Sequence, residues 1–90
     1  MAEHTVTITL GMDFKPEDLS VKAGDTVTWV NKASGNHTAT RKVEPCPFDT
    51  GDIPPGEQKS VKFDNLCGDA PLAYRCTYHR SMKGTVQIVK

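Results

Sequence analysis

Cys76, His79 and Met82 follow one another at intervals of three residues near the end of a 90-residue chain. A thiolate, an imidazole and a thioether within seven residues form a soft donor set. Soft donors of this kind select copper over hard cations. A fourth donor is needed, and His37, in Gly35-Asn36-His37-Thr38, is the candidate. Two His, one Cys and a weaker axial Met suit an ion cycling between Cu(I) and Cu(II). Taken singly, Cys76 reads as a small buried thiol, Met82 as core filler and His37 as a loop histidine. Their common register makes ligation the stronger reading.

The elements that must position these four side chains are strands. Thr5 to Leu10 alternates, with Val6, Ile8 and Leu10 on one face, the period-2 pattern of a half-buried strand. Leu19 to Lys22 is a short second strand. Thr26 to Asn31 is a third, with Val27 and Trp29 inward, and His37 to Val43 is a candidate fourth. Glu44 to Gly56 carries Pro45, Pro47, Pro54 and Pro55, so it crosses the surface rather than a sheet centre. Lys59 to Phe63, Leu72 to Cys76 and Gly84 to Val89 complete the set, with a turn over Asn65 to Pro71. In the last pair, Leu72, Tyr74 and Cys76 share one face, as do Met82, Gly84, Val86 and Ile88. If both faces point inward, Cys76 and Met82 stand at one mouth of the core, with His79 on the loop between them. Trp29 and Tyr74 are assigned to that core, and so are Met12 and Phe14, beneath the metal end. Short strands with turns every 8–12 residues and no amphipathic helix define an all-β fold, a Greek-key sandwich of about 7–8 strands. Residues 1–90 are expected to form one domain, with no repeat or linker.

Eleven Lys and Arg balance eleven Asp and Glu, which gives no general pull toward nucleic acid or an anionic membrane. No apolar run approaches the ~20 residues that span a bilayer. The start, Met1-Ala2-Glu3-His4-Thr5, has no basic region followed by an apolar stretch, so it does not read as an uncleaved secretory signal. Either the protein is cytosolic, or the chain is a mature form.

With these residues in place, the chain resembles the cupredoxins, nearest to the plastocyanin and amicyanin branch. The resemblance is carried by Phe14 to Asn31, by Phe48-Asp49-Thr50-Gly51, by Pro55-Gly56-Glu57, and by the short Cys76, His79, Met82 loop. It implies a type 1 blue copper site with Cys76 as the thiolate ligand, His37 and His79 as equatorial ligands and Met82 as the axial one. The Asn36 carbonyl would approach from the opposite side. It also implies a one-electron carrier whose donor and acceptor proteins dock transiently near the exposed edge of His79. Relatives carry Asn after the first ligand. Here Thr38 stands, leaving its hydroxyl to tie the two ligand loops. Relatives also carry Pro beside the loop His, where this chain has Tyr78 and Arg80. The Tyr78 N–H is therefore free to point at the Cys76 sulfur and raise the potential.

Cys46 lies nine residues after His37, and Cys67 nine before Cys76. At ~3.3 Å per residue a direct strand would carry each about 30 Å from the metal. A Cys46–Cys67 disulfide at the far pole follows, and with it an oxidising compartment, periplasm or cell exterior. If Met1 is removed, Ala2-Glu3-His4 offers a second, square-planar Cu(II) site, with a disordered tail as the favoured alternative. Four protein ligands leave no open position, so the chain is not expected to be an enzyme. Weak, fast encounters suit a monomer. Rival functions are a periplasmic copper carrier or chaperone without electron transfer, and a metal-free adhesive sandwich.

Overall fold

The computed structural model describes residues 2–64, 67, 68 and 70–89. The expected Asn65 to Pro71 turn therefore lies partly outside the described residues. Among the described residues nine strands run in chain order: β1 Glu3–Ile8, β2 Phe14–Lys15, β3 Asp18–Lys22, β4 Thr26–Asn31, β5 Thr40–Arg41, β6 Phe48–Asp49, β7 Gln58–Lys62, β8 Leu72–Arg75 and β9 Lys83–Val89. They form a four-stranded sheet, β2-β1-β4-β7, and a five-stranded sheet, β3-β9-β8-β5-β6. Both sheets are mixed: β1 runs parallel to β4 and β3 parallel to β9, and the other pairings are antiparallel. Among the described residues there is no α-helix, and no helix is long and apolar enough to cross a membrane. The all-β sandwich read from the sequence is the observed architecture, with two-residue strands at β2, β5 and β6 raising the number among the described residues above the seven or eight expected.

The two sheets close on the side chains that alternation selects. Val6 and Ile8 of β1, Val27 and Trp29 of β4, Leu72 and Tyr74 of β8, and Val86 and Ile88 of β9 are all buried. Trp29 is the hub. Its ring stacks on Phe48 at 5.5 Å and meets Tyr74 edge-on at 5.3 Å, and Phe14 meets Tyr74 at 4.8 Å. Offset and edge-on contacts are the arrangements the aromatic quadrupole favours. Burial pushes the Tyr74 phenol up to about 12, so it stays protonated and serves packing.

Alternation misplaces Leu10. Strand β1 stops at Ile8, and Thr9 to Asp13 fold into a turn in which the Met12 N–H donates to the Thr9 carbonyl at 3.0 Å. Met12 sits in the left-handed region at φ 64°. The turn breaks the period, leaving Leu10 76% and Met12 41% exposed. Of the two residues expected beneath the metal end, only Phe14 is buried. The expected strand over His37 to Val43 shrinks to Thr40–Arg41. Residues 37–41 are buried in succession, which a strand with one wet face cannot achieve. Arg41 is only 8% exposed, and its guanidinium donates to the carbonyls of Pro45 at 2.9 Å, Ala73 at 3.1 Å and Glu44 at 3.3 Å. Those bonds hold the connection after β5 against β8.

A disulfide joins Cys46 to Cys67, with Cα atoms 5.3 Å apart. It staples the β5–β6 connection to the segment before β8, at the end of the sandwich opposite Cys76. Closing a loop of 21 residues' separation contributes about 3 kcal/mol in the chain-entropy account.

The first strand is anchored at that same far end by Asp25. Its carboxylate accepts from the Ala2 N–H at 2.8 Å, the Lys22 N–H at 2.9 Å and His4 Nε2 at 2.9 Å. The preceding Gly24 lies at φ 92°, a conformation only glycine adopts freely. These bonds, the His4 contact foremost, hold the Asp25 carboxyl well below the usual carboxylate range. A depressed carboxylate contributes stability above its ordinary unfolded value, near pH ~4, and loses it as the pH falls further. Asp25→Asn should therefore be less stable than the parent at neutral pH. The gap should narrow between roughly pH 5 and pH 2 in thermal melts. A gap that stays constant with pH would remove the carboxylate's role. The same contacts bear on the second copper site expected at Ala2-Glu3-His4. The Ala2 nitrogen and the His4 ring both bond Asp25, and Glu3 and His4 belong to the β1–β4 ladder. This segment is an anchored strand and not a disordered tail.

Candidate metal centre

The Cys76 sulfur is fully buried at the end of β8. His37 Nδ1 lies 3.6 Å from it and His79 Nδ1 lies 3.8 Å from it, with the two rings 5.0 Å apart. All three ligand atoms fall within 4.8 Å of one another. Two atoms bound to one ion at about 2.0 and 2.3 Å, at an angle of about 110–120°, stand roughly 3.5–3.7 Å apart. The two imidazoles are thus spaced from the sulfur as ligands of a common ion would be. The donor set, soft sulfur with borderline nitrogen, fits copper. Burial first, and the neighbouring His79 second, hold the His37 imidazole below its ordinary range. That favours the neutral, ligating form.

Each donor has a separate support. His37 forms a two-way bridge with Ile53: the His37 N–H donates at 3.3 Å and the Ile53 N–H returns at 2.7 Å. The loop leading to His37 is organised by Asn31, a fully buried polar residue. Its amide donates to the Gly35 and Ile53 carbonyls at 2.8 and 2.7 Å, and its side-chain oxygen accepts from the Ala33 N–H at 2.8 Å. The C-terminal loop is closed by the Cys76 N–H donating to the Met82 carbonyl at 2.9 Å and the Met82 N–H donating to the His79 carbonyl at 3.0 Å. Met82 is buried immediately before β9 at the same end, while His79 keeps part of its surface in solvent. Within that loop the Tyr78 hydroxyl donates to Asp52 at 2.6 Å, linking it to the segment that carries Ile53. That bond raises the phenol above its ordinary value.

Thr38 joins the two halves of the site. Its hydroxyl accepts from the Thr77 N–H at 3.0 Å and lies 3.2 Å from the Thr77 hydroxyl and 3.0 Å from that of Thr40. Its N–H donates to the Cys76 sulfur at 3.5 Å. The loop tie expected of the Thr38 hydroxyl is present. The N–H expected from Tyr78 is not: among the described residues the amide on this sulfur is that of Thr38. Because Thr38 follows His37, one residue orients both the imidazole loop and the thiolate. Removing the hydroxyl alone, in Thr38→Val, should cost about 1–3 kcal/mol, since the Thr77 N–H loses its acceptor in a part-buried site. Urea unfolding would measure it, and copper release to a chelator should quicken in parallel. An unchanged midpoint and release rate would mean the hydroxyl ties nothing.

Two β-sheets closed over an inward Cys, two imidazoles and a neighbouring Met define the class: this is a cupredoxin fold. Residues 2–89 match the family described as copper binding proteins, plastocyanin/azurin family. The chain belongs to that family. It is 33% identical over 106 residues to plastocyanin from Scenedesmus fuscus, an alignment covering 92% of this chain and 98% of the relative. Among solved structures, the oxidised P94A mutant of amicyanin superposes with a TM-score of 0.80 at 27% identity, over 94% of this chain and 80% of the other. A copper-containing nitrite reductase from Thermus scotoductus superposes at a TM-score of 0.82 and 27% identity over 96% of this chain, which spans only 22% of that protein. The chain is a plastocyanin- and amicyanin-like type 1 copper electron carrier, a role that entails transient redox partners.

Proposed function

We propose that His37, Cys76, His79 and Met82 would hold the copper ion, Cys76 through its thiolate, the two histidines through imidazole nitrogens and Met82 through its thioether. The observation that carries this is the convergence of His37 Nδ1, Cys76 Sγ and His79 Nδ1 within 4.8 Å in a buried site. When bound, copper supplies a one-electron couple between Cu(I) and Cu(II). The chain's own task is to keep the ligands in place between the two states. The Ile53 bridge, the Asn31 bonds and the Thr38 tie restrain His37 and Cys76 independently of any ion. Burial of His37, Cys76 and Met82 keeps water away from the ion, so little solvent need rearrange on electron transfer. His79, the one donor with an edge in solvent, is the natural point of contact for the partners.

Residues 1–90 act as one domain in this reading, as a monomer. The Cys46–Cys67 bridge supports a location in the periplasm or outside the cell, where disulfides persist. Titrating the metal-free protein with Cu(II) tests the ligand set. One equivalent should produce an intense visible band and reversible one-electron redox chemistry. A colourless complex would reject the reading. Rapid copper release with slow electron exchange would instead support a copper carrier.

A further inference from the structure

Five cations line one groove of about 580 Å3 along β5, β8 and the start of β9: Arg41, Lys42, Arg75, Arg80 and Lys83. Among the described residues, no carboxylate lines it. Among the described residues none of the five forms an ion pair, the His4–Asp25 contact being made elsewhere. The chain as a whole is neutral, with eleven basic and eleven acidic residues. Gathering five of the eleven cations here is therefore a matter of placement, and it sets up a local positive field that a neutral protein does not otherwise have. Arg41 is built into the floor. Three carbonyls satisfy its hydrogen bonding but leave its charge without a counter-ion. Exposed Val43 adds an apolar spot among the charges.

The groove also adjoins the metal end. Arg75 immediately precedes Cys76, Arg80 follows His79 and Lys83 follows Met82. We propose that this groove seats an acidic surface of a redox partner, beside the Cys76 strand and on the flank of the His79 edge. The proposal deepens the electron-carrier reading and rests on it. Complementary charge speeds encounter and sets orientation more than it adds affinity, which is what a brief electron-transfer contact requires. Arg forks pair carboxylates bidentately. The cations are spread over three strands and the connections beside them, a footprint wider than one phosphate would need, and this favours a protein surface over a small anion.

The test uses the copper-loaded protein, Lys42→Glu/Arg75→Glu in the same chain, and two small oxidants of opposite charge. Both substituted residues are exposed and neither is a proposed ligand. The variant should keep the parent's visible spectrum. At low ionic strength its Cu(I) form should react with ferricyanide at least about tenfold more slowly than the parent, and faster with tris(phenanthroline)cobalt(III). High salt should erase both differences. A ferricyanide rate unchanged at low salt, with the spectrum intact, would overturn the proposal. A second arm adds a ten-residue polyglutamate peptide or hexacyanocobaltate(III) to the Cu(I) protein and follows amide shifts. Peptide-induced shifts over residues 40–43, 73–77 and 80–83 are expected. Shifts with hexacyanocobaltate and none with the peptide would reject a protein partner in favour of a small-anion site. A parent that forms no blue centre would contradict the electron-carrier reading itself, while the peptide titration would still report on the groove.

Discussion

Cys76→Ser abolishes the intense visible absorption of the copper-loaded protein and weakens copper binding by more than about a hundredfold. Disturbing only the groups that orient a ligand costs about 10–100-fold in metal affinity, so loss of the ligand itself must exceed that. Serine is close to cysteine in size, so the fold should survive. Its oxygen is harder and stays protonated near neutral pH, and it cannot supply the polarizable thiolate that soft copper sites use. The replacement falls at a fully buried atom, between both imidazoles and under the Thr38 N–H. No other thiol stands in, because Cys46 and Cys67 are bonded to each other and Cys76 is the free cysteine. Visible spectroscopy and a competition titration would check both parts. A variant that remains intensely blue would show that the sulfur at position 76 is not the ligand.

Gly84→Ala should destabilise the protein by about 2–3 kcal/mol, the scale of core overpacking. The sign is informative. Glycine inside a strand is ordinarily a weak choice, and alanine in its place tends to gain about 0.5–1 kcal/mol. Here a Cβ would stand 2.7 Å from the Glu17 carbonyl oxygen, 2.7 Å from the Tyr74 hydroxyl and 2.9 Å from its Cζ. Neither neighbour can retreat easily. The Glu17 carbonyl accepts the Thr85 N–H at 2.8 Å, and Tyr74 is wedged against Phe14 and Trp29. Tyr74 and Gly84 face each other in the β8–β9 ladder, two residues from Cys76 and Met82 respectively. Movement there reaches the site. For a domain of this size, the loss should lower the melting temperature by roughly 4–8 °C per kcal/mol. Equal or greater stability in urea would refute the crowding.

The candidate site could be proposed from the sequence because its residue types are uncommon and its spacing is local. The parity that placed Leu72, Tyr74 and Cys76 on one face, and Met82, Gly84, Val86 and Ile88 on another, is met by burial of all seven. Alternation reports one-sided burial faithfully while a strand lasts. It failed at Leu10, where a turn changes the phase, and at Thr38 to Arg41, where both faces are covered. The supports were harder to read. Asn31 to Ile53, Thr38 to Thr77 and Tyr78 to Asp52 join residues 22, 39 and 26 positions apart. Nothing local marks such partners, since a Thr or Asn bonded across the core looks like any loop residue. The resemblance led to the Thr38 tie. It did not lead to Asn31, to the buried Arg41, or to the amide of Thr38 as the donor on the sulfur.

The separation of the Cys46–Cys67 bridge from Cys76 has a consequence for maturation. Strand β8 alone interposes four residues between the two ends, roughly 13 Å of extended chain. Cysteines whose Cα atoms lie more than about 7 Å apart cannot be joined without moving the backbone. Once the sandwich has closed, mispairing of the reactive thiol with either bridge cysteine is therefore forbidden by distance, and the architecture proofreads its own oxidation. An oxidising environment can complete the staple while the sulfur reserved for redox work stays out of reach.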